Sequence, residues 1–404
     1  MCIQVESGVQ HLKVLFVTRE YPPFEVGGVA VHTFNLVKNL TKLGVSCKVL
    51  SFGDPEYSNA EVTFIRPSSS IIQKSNSSAT MDLRIPVDIL RITQVANNLI
   101  SNERFDVVHV EEPYVGAFVK HKRKVTTVHD TSFGEINSIL HHSPSFPNFK
   151  RVAFYGILGF YLELMCMSSS SFVLIPSEQV KTELLKIYGV SKEKLRVVRN
   201  GVELPVLFGP NDKGLAKKRL GLDADKTLIF TAARHIARKR LDTLIHAIKL
   251  LRDEGINNYT VVIAGDGPIR SQIMNLSEKQ GLGGIISFSG WISRETLSLY
   301  YEAADVFVLT SDYESGPISL LEAMSYGDAI ISSKIQGFPS LMRDGFDGLL
   351  FQVGDYHALS YCLKELLDNP TMRLRLSTSA RSFAERFDWK CVAEETVSLY
   401  AKLF

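Results

Sequence analysis

Short apolar runs rich in Val and Ile recur along the chain, separated by longer stretches whose apolar positions repeat with helical spacing. Strands alternating with helices in this way are the signature of parallel α/β sheets. In the first half the runs are KVLFVT, CKVLSF, FDVVHV, VTTVH and SFVLIP; in the second they are LIFTAA, YTVVIAG, ISFSG, DVFVLTS and AIISS. Each predicts a strand. Between the two sets lies ELPVLFGPNDKGLAKKRLGLDADKT (203–227), where Pro205, Gly209, Pro210 and mixed charges interrupt any sustained apolar period. A domain linker is expected there, with lobes at 1–204 and 205–385 and a last helical segment at 386–404. The apolar window from Ala153 to Met167 contains Glu163 and falls short of the roughly 20 residues that a bilayer span requires. It predicts a buried or interfacial helix, closed by the serine run Ser168 to Ser171.

Bulk composition narrows the class. A chain of 404 residues exceeds one ordinary core, and 45% hydrophobic with 22% charged residues supplies apolar material for two. The formal net charge of +2 offers no global field to recruit nucleic acid, so any anionic ligand must be caught locally. The five cysteines are scattered, with no spacing that suggests zinc or a disulfide framework. The first ten residues, MCIQVESGVQ, carry Glu6 and no long apolar stretch, so neither a signal peptide nor a span is expected. These features point to a cytoplasmic protein. The basic run KHKRK (120–124) reads as solvated surface; joined to the apolar segment Phe154 to Leu164, it is also a candidate peripheral contact with the inner face of a membrane.

In open parallel sheets ligands bind beyond the carboxyl ends of the strands, so polar residues just after strands carry the most weight. That filter selects Gly27 and Gly28 after KVLFVT, His129 and Asp130 after VTTV, Arg234 after LIFTAA, Gly265 and Gly267 after TVVIA, and Glu314 after DVFVLTS. Paired glycines opening a helix allow close backbone approach, and the bare amides of a helix start receive phosphate oxygens. Neither a GxGxxG fingerprint nor a GxxxxGK[ST] loop occurs, which weakens dehydrogenase and kinase readings. Arg234 and Lys239, with Arg238 and Arg240, put four strong bases in seven residues, an arrangement whose repulsion an anion relieves. In LTSDYESGPISLLEAMSYG, Ser315 or Gly316 is expected to cap a helix with Pro317 at its first position, and Gly327 to stop it. Glu322 lies inside that helix, either on its exposed stripe or buried against a hydroxyl-bearing ligand such as a ribose. His129 reads as a hydrogen-bonded core histidine or as a polar tip toward a sugar hydroxyl. Asp223 and Asp225 precede a strand rather than follow one, so no metal role is expected of them, and no metal site is expected elsewhere.

Taken together, YPPFEVGG, TTVHD, VVRNGV, AARHIARK, VVIAGDGP, the Glu314 and Glu322 pair and the late FDW resemble, in order and over essentially the whole chain, family 4 of the retaining glycosyltransferases. The resemblance implies the GT-B architecture, two Rossmann-like parallel-sheet domains facing across a cleft. It implies that Arg234 and Lys239 bind the donor diphosphate, and that Glu322 bonds the ribose. Glu314 and the amides of Ser315 and Gly316 would face the donor sugar. Gly28 would lend its amide to the phosphates, His129 would bond the sugar near its reacting carbon, and a final helix from about Phe387 would return to the first lobe. Some positions depart from the family's commonest pattern. Ala233 and Arg240 stand where glycines are common, Ser340 replaces a frequent Glu, and Glu25 stands where bacterial glycogen synthases have the Lys of KxGG.

Similarity to this class implies transfer from a nucleotide diphosphate sugar to a hydroxyl acceptor (glycan, lipid or small molecule), with retention and without an obligatory metal or other cofactor. Front-face attack, with the departing phosphate taking the acceptor proton, is the mechanism usually proposed. The rivals are a nucleotide-sugar epimerase or hydrolase on the same fold and a two-lobed solute-binding protein; the latter normally carries an export signal. Base, sugar, acceptor, linkage and oligomeric state are not legible at this level.

Overall fold

The computed structural model describes residues 12–24, 27–69, 84–142, 154–205, 212–335 and 342–404. By its contacts the chain divides into two units, one comprising Met1–Gly201 with Trp389–Phe404, the other Val202–Asp388.

The first unit is built on seven strands: β1 (Lys13–Val17), β2 (Ser46–Phe52), β3 (Val62–Ile65), β4 (Val107–Val110), β5 (Lys124–Thr127), β6 (Phe172–Ile175) and β7 (Leu195–Val197). They lie in the order β3-β2-β1-β4-β5-β6-β7, and every pairing is parallel. Such a sheet is buried on both faces, which is why its central strands read as unbroken apolar runs. Alternation along β1 divides the core: Val14 and Phe16 pack with Leu36, Leu40 and Tyr400 on one face, while Leu15 and Val17 pack with Ile92, Ala96 and Cys166 on the other. The helix Trp389–Ala401 belongs to this unit. Trp389 sits against Gly201, where any Cβ would collide with the indole, and Tyr400 reaches the His109 Nδ1 at 2.5 Å.

The second unit carries β8 (Thr227–Ala232), β9 (Tyr259–Ala264), β10 (Ile286–Gly290), β11 (Val306–Leu309), β12 (Ala329–Ser333) and β13 (Leu349–Phe351), in the order β10-β9-β8-β11-β12-β13 and again all parallel. Phe230 and Val262 face one core, and Ile229, Val261 and Ile263 the other. Each unit is thus a Rossmann-like sheet with β1 or β8 third in the order and the strand order reversing beside it.

Three strands have no counterpart among the apolar runs: β3, β7 and β13. All are edge strands of three or four residues, half-exposed, and so lack the continuous burial that writes an apolar run. The segment expected as a linker contains the helix Asp212–Arg219, whose buried Ala216 and Lys217 join the second unit. Lys217 Nζ meets Asp305 Oδ2 at 2.6 Å, so an ion pair stands where apolar periodicity would have announced a helix. In the basic run, Lys124 is buried rather than solvated, and its Nζ donates to Ser169 Oγ at 2.6 Å. Cys391 is disulfide-bonded, which the scattered cysteine spacing does not announce. No helix among the described residues is long and apolar enough to cross a membrane.

The apolar window becomes a π-helical turn, Phe154–Gly159, followed by the α-helix Phe160–Ser169, with Ser170 at its C-cap. Glu163 is the buried exception in this helix. It accepts hydrogen bonds from the Ser132 backbone N–H at 3.0 Å, from Ser132 Oγ at 2.7 Å and from the Tyr188 hydroxyl at 2.6 Å, fastening the start of the helix Ser132–His142. Burial outweighs these bonds and pushes its carboxyl up to about 7. An acid raised on folding binds more protons in the native than in the unfolded state between pH about 4.5 and about 7, so stability falls as pH rises through that window. Urea unfolding at pH 5 and pH 8 is expected to show a loss on the order of 2 to 3 kcal/mol from this group, absent in Glu163→Gln. An identical pH dependence in the variant would contradict the assignment.

Candidate active site

In the second unit, the loops leaving β8, β9 and β11 are tied into one platform. Ala233 N–H donates to the Ala264 carbonyl and His235 N–H to that of Asp266, at 3.1 and 2.8 Å. Asp312 N–H donates to the Arg238 carbonyl at 3.0 Å, and Thr310 Oγ1 to that of Lys239 at 2.6 Å. Gly265 adopts φ 117° where a Cβ would collide with the Ala233 carbonyl, and a Cβ at Gly267 would strike His235. Both glycines therefore permit the β8 and β9 loops to touch. Arg240 occupies the left-handed region at φ 46°, just before the helix Leu241–Asp253. That conformation explains why glycine suits the position; here the arginine bears the strain and pairs with Asp242 at 3.2 Å.

Lys239 and Glu314 meet on this platform. Lys239 Nζ lies 2.5 Å from Glu314 Oε1, which also accepts from Ser311 Oγ at 2.6 Å. Their side chains are only 15% and 8% exposed, so each charge depends on the other for solvation. An incoming anion could take over the lysine while a hydroxyl donor satisfies the glutamate. Arg234 lies two residues beyond β8 in the same loop. The helix Ile318–Ser325 follows Glu314, but Pro317 itself holds the N-cap position, so neither Ser315 nor Gly316 caps it as expected. Both precede the cap in a bend, because Pro317 has a helix-compatible φ of −70° but an extended ψ of 102°, so the helix begins one residue later than the spacing suggested. Gly327 follows the helix at φ 73°, and its N–H donates to the Met324 carbonyl.

Glu322 is buried in that helix, and its Oε1 lies 2.6 Å from Arg294 Nη2. Burial, and then the Glu322 charge, push the neighbouring Tyr301 hydroxyl well above its ordinary range. Arg294, on the helix Arg294–Ala303, was not identified from sequence; no motif there distinguishes it from a surface arginine.

The first unit gathers a second polar cluster beyond its own strand ends. Glu111 and Glu112 follow β4, His129 and Asp130 follow β5, Arg19 and Glu20 follow β1, and Asn200 follows β7. Glu111 is fully buried and accepts from His129 Nε2 at 2.9 Å. Its Oε1 accepts no hydrogen bond. Arg19 N–H donates to Glu112 Oε2 at 2.7 Å, and Arg19 Nε stands 3.1 Å from Oε1. Burial still raises the Glu112 carboxyl to about 7. Burial likewise lowers His129 to about 4, against the opposing pull of Asp130 and Glu20, leaving a neutral imidazole that donates to Glu111. Gly27 is the N-cap of the helix Gly28–Lys42, with no side chain between its backbone and Glu20 Oε1. Glu25 and Ser340 lie outside the described residues. The strand-end filter also fits Glu111 and Glu112, a charged pair directly after VVHV; His32 and Asn200 enter only through tertiary packing.

The structure thus joins Lys239 directly to Glu314 and sets Arg234, Gly265, Gly267, Ser315 and Gly316 on or beside the same platform. Glu322 is engaged by Arg294. His129, Asp130, Gly27 and Gly28 sit on the corresponding edge of the first unit.

Residues 26–205 match the family described as Glycosyltransferase Family 4, and residues 212–383 match Glycosyl transferases group 1. An uncharacterised glycosyltransferase of Methanocaldococcus jannaschii is 25% identical over 407 residues, covering 96% of this chain and 98% of the relative. A D-inositol 3-phosphate glycosyltransferase of Streptomyces bingchenggensis is 31% identical over 236 residues, 56% of this chain and 51% of that enzyme. The chain spans about half the length of that relative. Among solved structures, sucrose-phosphate synthase from Thermosynechococcus elongatus superposes with a TM-score of 0.80 at 20% identity, covering 97% and 99% of the two chains. Anabaena HepE in complex with UDP and glucose superposes at 0.73 and 19% identity, covering 97% and 100%. The two family matches together cover most of the chain, and they fall on the two Rossmann-like units one by one: this protein is a glycosyltransferase of family 4 with the GT-B fold.

Proposed function

We propose that this enzyme transfers a sugar from a nucleotide diphosphate sugar to a hydroxyl acceptor with retention of anomeric configuration. The observation that carries the reading is the largely buried Lys239–Glu314 pair on a platform shared by three strand-end loops. As the glycosidic bond breaks, negative charge grows on the leaving diphosphate, and a largely buried ammonium together with an exposed guanidinium in the same loop stabilises that change. Lys239 and Arg234 take this role. Glu314, released from Lys239 by the phosphate, accepts from a donor-sugar hydroxyl, and Glu322, oriented by Arg294, accepts from the ribose. His129, on the strand-end edge of the first unit, offers its imidazole to a sugar hydroxyl. The departing phosphate receives the acceptor proton, so no carboxylate nucleophile is required, and the diphosphate charge is met by side chains without an obligatory metal. HepE, solved with UDP and glucose, supports a nucleotide-linked donor.

Thermal-shift screening with UDP-, GDP- and ADP-sugars, followed by proton NMR of the product formed with acceptor, tests the reading. Retention at the anomeric carbon is expected. An inverted product, or turnover equally fast without acceptor, would contradict it and favour a hydrolase or epimerase.

Lys239→Ala and Arg234→Ala are each expected to lower the rate at saturating donor by about 10²- to 10³-fold while weakening donor binding less. Lys239→Ala also strands the buried Glu314 charge, so Lys239→Ala with Glu314→Gln separates lost catalysis from lost folding. Unchanged saturating rates with reduced affinity alone would make both residues simple anchors. Glu322→Gln is expected to weaken binding of the free nucleoside diphosphate by about tenfold, the worth of one charge-assisted hydrogen bond. Glu314→Gln should act mainly on transfer. Calorimetry beside a transfer assay reads both, and reversed effects would exchange the two roles.

A further inference from the structure

We propose that the outer face of two helices in the first unit, Ile85–Asn102 and Phe160–Ser169, rests on a bilayer of anionic phospholipid. The inference is independent of the donor reading, because none of its residues takes part in the donor site.

The helix Phe160–Ser169 inverts the usual pattern of a surface helix. Its single charged residue, Glu163, is buried, while the residues left to solvent along it and the turn before it are Gly156, Ile157, Tyr161, Met165, Ser168 and Ser169. None of these is charged. Ile157, Tyr161 and Met165 are 67%, 63% and 46% exposed, and their spacing of four sets them along one side. A helix that meets water on its outer face normally carries charge there, and one that is apolar on both sides has a cover on both. The inner cover is the sheet, through Leu162, Cys166 and Met167.

The helix Ile85–Asn102 lies alongside and repeats the inversion. Ile89 shares a buried cluster with Leu162, and Ile92 and Ala96 share another with Cys166, so the two helices cover the same face of the sheet. Its one acid, Asp88, is buried and accepts from the Ser68 and Ser69 backbone N–H groups at 2.8 Å, whereas Val87 and Leu90 are exposed. Lysines border the apolar face. Lys120 N–H donates to Asn97 Oδ1 at 2.9 Å, Ser171 Oγ donates to the Lys122 carbonyl at 3.3 Å, and Lys194 Nζ donates to the Ser168 carbonyl at 2.5 Å. Three ammonium groups are thereby set beside the C-terminal halves of the two helices, and neither helix exposes a carboxylate to meet them. A second copy of the same surface would bring none either. An anionic bilayer supplies both missing partners, an apolar layer for the stripe and phosphates for the lysines, and the two attractions add. Neither helix is long and apolar enough to cross a membrane, so the contact is peripheral.

Flotation of the full chain with vesicles of phosphatidylcholine, alone or mixed with an equal part of phosphatidylglycerol, tests the proposal. Binding to the mixed vesicles is expected to exceed binding to the neutral ones by about tenfold or more, and to fall as salt is raised. Lys120→Gln together with Lys122→Gln should weaken it by about tenfold or more, each charge counting for about fivefold. Ile157→Asn together with Met165→Gln should cost about as much, through lost insertion. All four side chains face solvent, so circular dichroism should find both variants folded. Absence of binding to the mixed vesicles at low salt would overturn the proposal. Binding that survives the Ile157 and Met165 replacements would overturn it equally, since the lysines alone would then hold the chain. A concentration-dependent dimer, seen by sedimentation and abolished by the same replacements, with no vesicle binding, would assign the stripe to a second copy and overturn it too.

Discussion

Parallel pairing is the constraint from which the rest follows. When every strand of a sheet runs the same way, every strand ends on the same edge, and each crossover must leave from that edge. In the second unit, the carboxyl ends of β8, β9 and β11 bring the Lys239, Gly267 and Glu314 loops into contact without any of them being close in sequence. The same rule places Arg19, Glu111, His129 and Asn200 together in the first unit. Apolar alternation on the strands supplies the cores, while polar residues collect where the alternation stops.

Charges gathered on such an edge are only partly exposed to water, so they must solvate one another. Lys239 with Glu314, Arg294 with Glu322 and Arg19 with Glu112 are each near-contact pairs in which the acid is buried or nearly so. Pairs of this kind contribute little net stability, because desolvation offsets most of the Coulomb attraction. Their value lies in preorganisation. In the proposed reading the phosphate takes Lys239 over from Glu314, and backbone hydrogen bonds on either side of Lys239 fix the loop that carries it.

Much of this was legible in the chain. The long central strands announce themselves because burial on both faces demands unbroken apolar runs; Arg234, Gly265 and Glu314 announce themselves by following those runs, and Lys239 by the basic cluster it shares with Arg234, Arg238 and Arg240. The edge strands β3, β7 and β13 do not, being short and half-exposed. The helix Asp212–Arg219 was hidden because Lys217 is anchored by Asp305 rather than by apolar contacts. Pro317 shows the limit of cap reasoning: spacing locates the turn, but the extended ψ of 102° at Pro317, which no local pattern encodes, leaves it as the cap. Arg294 and His32 gain their significance from partners far away in sequence, Glu322 and Glu111, and no local pattern encodes such pairings.

The central claim is that the β8 and β11 loops of the second unit recognise a diphosphate, and comparing a nucleoside diphosphate with the monophosphate of the same base tests it most directly. Calorimetry on the full chain should find the diphosphate bound about tenfold tighter or more, the difference made by a second charged phosphate against Arg234 and Lys239. That preference should shrink at high ionic strength and vanish when both residues are replaced by alanine. Equal affinity for the two nucleotides, or a preference that survives the double replacement, would contradict the account.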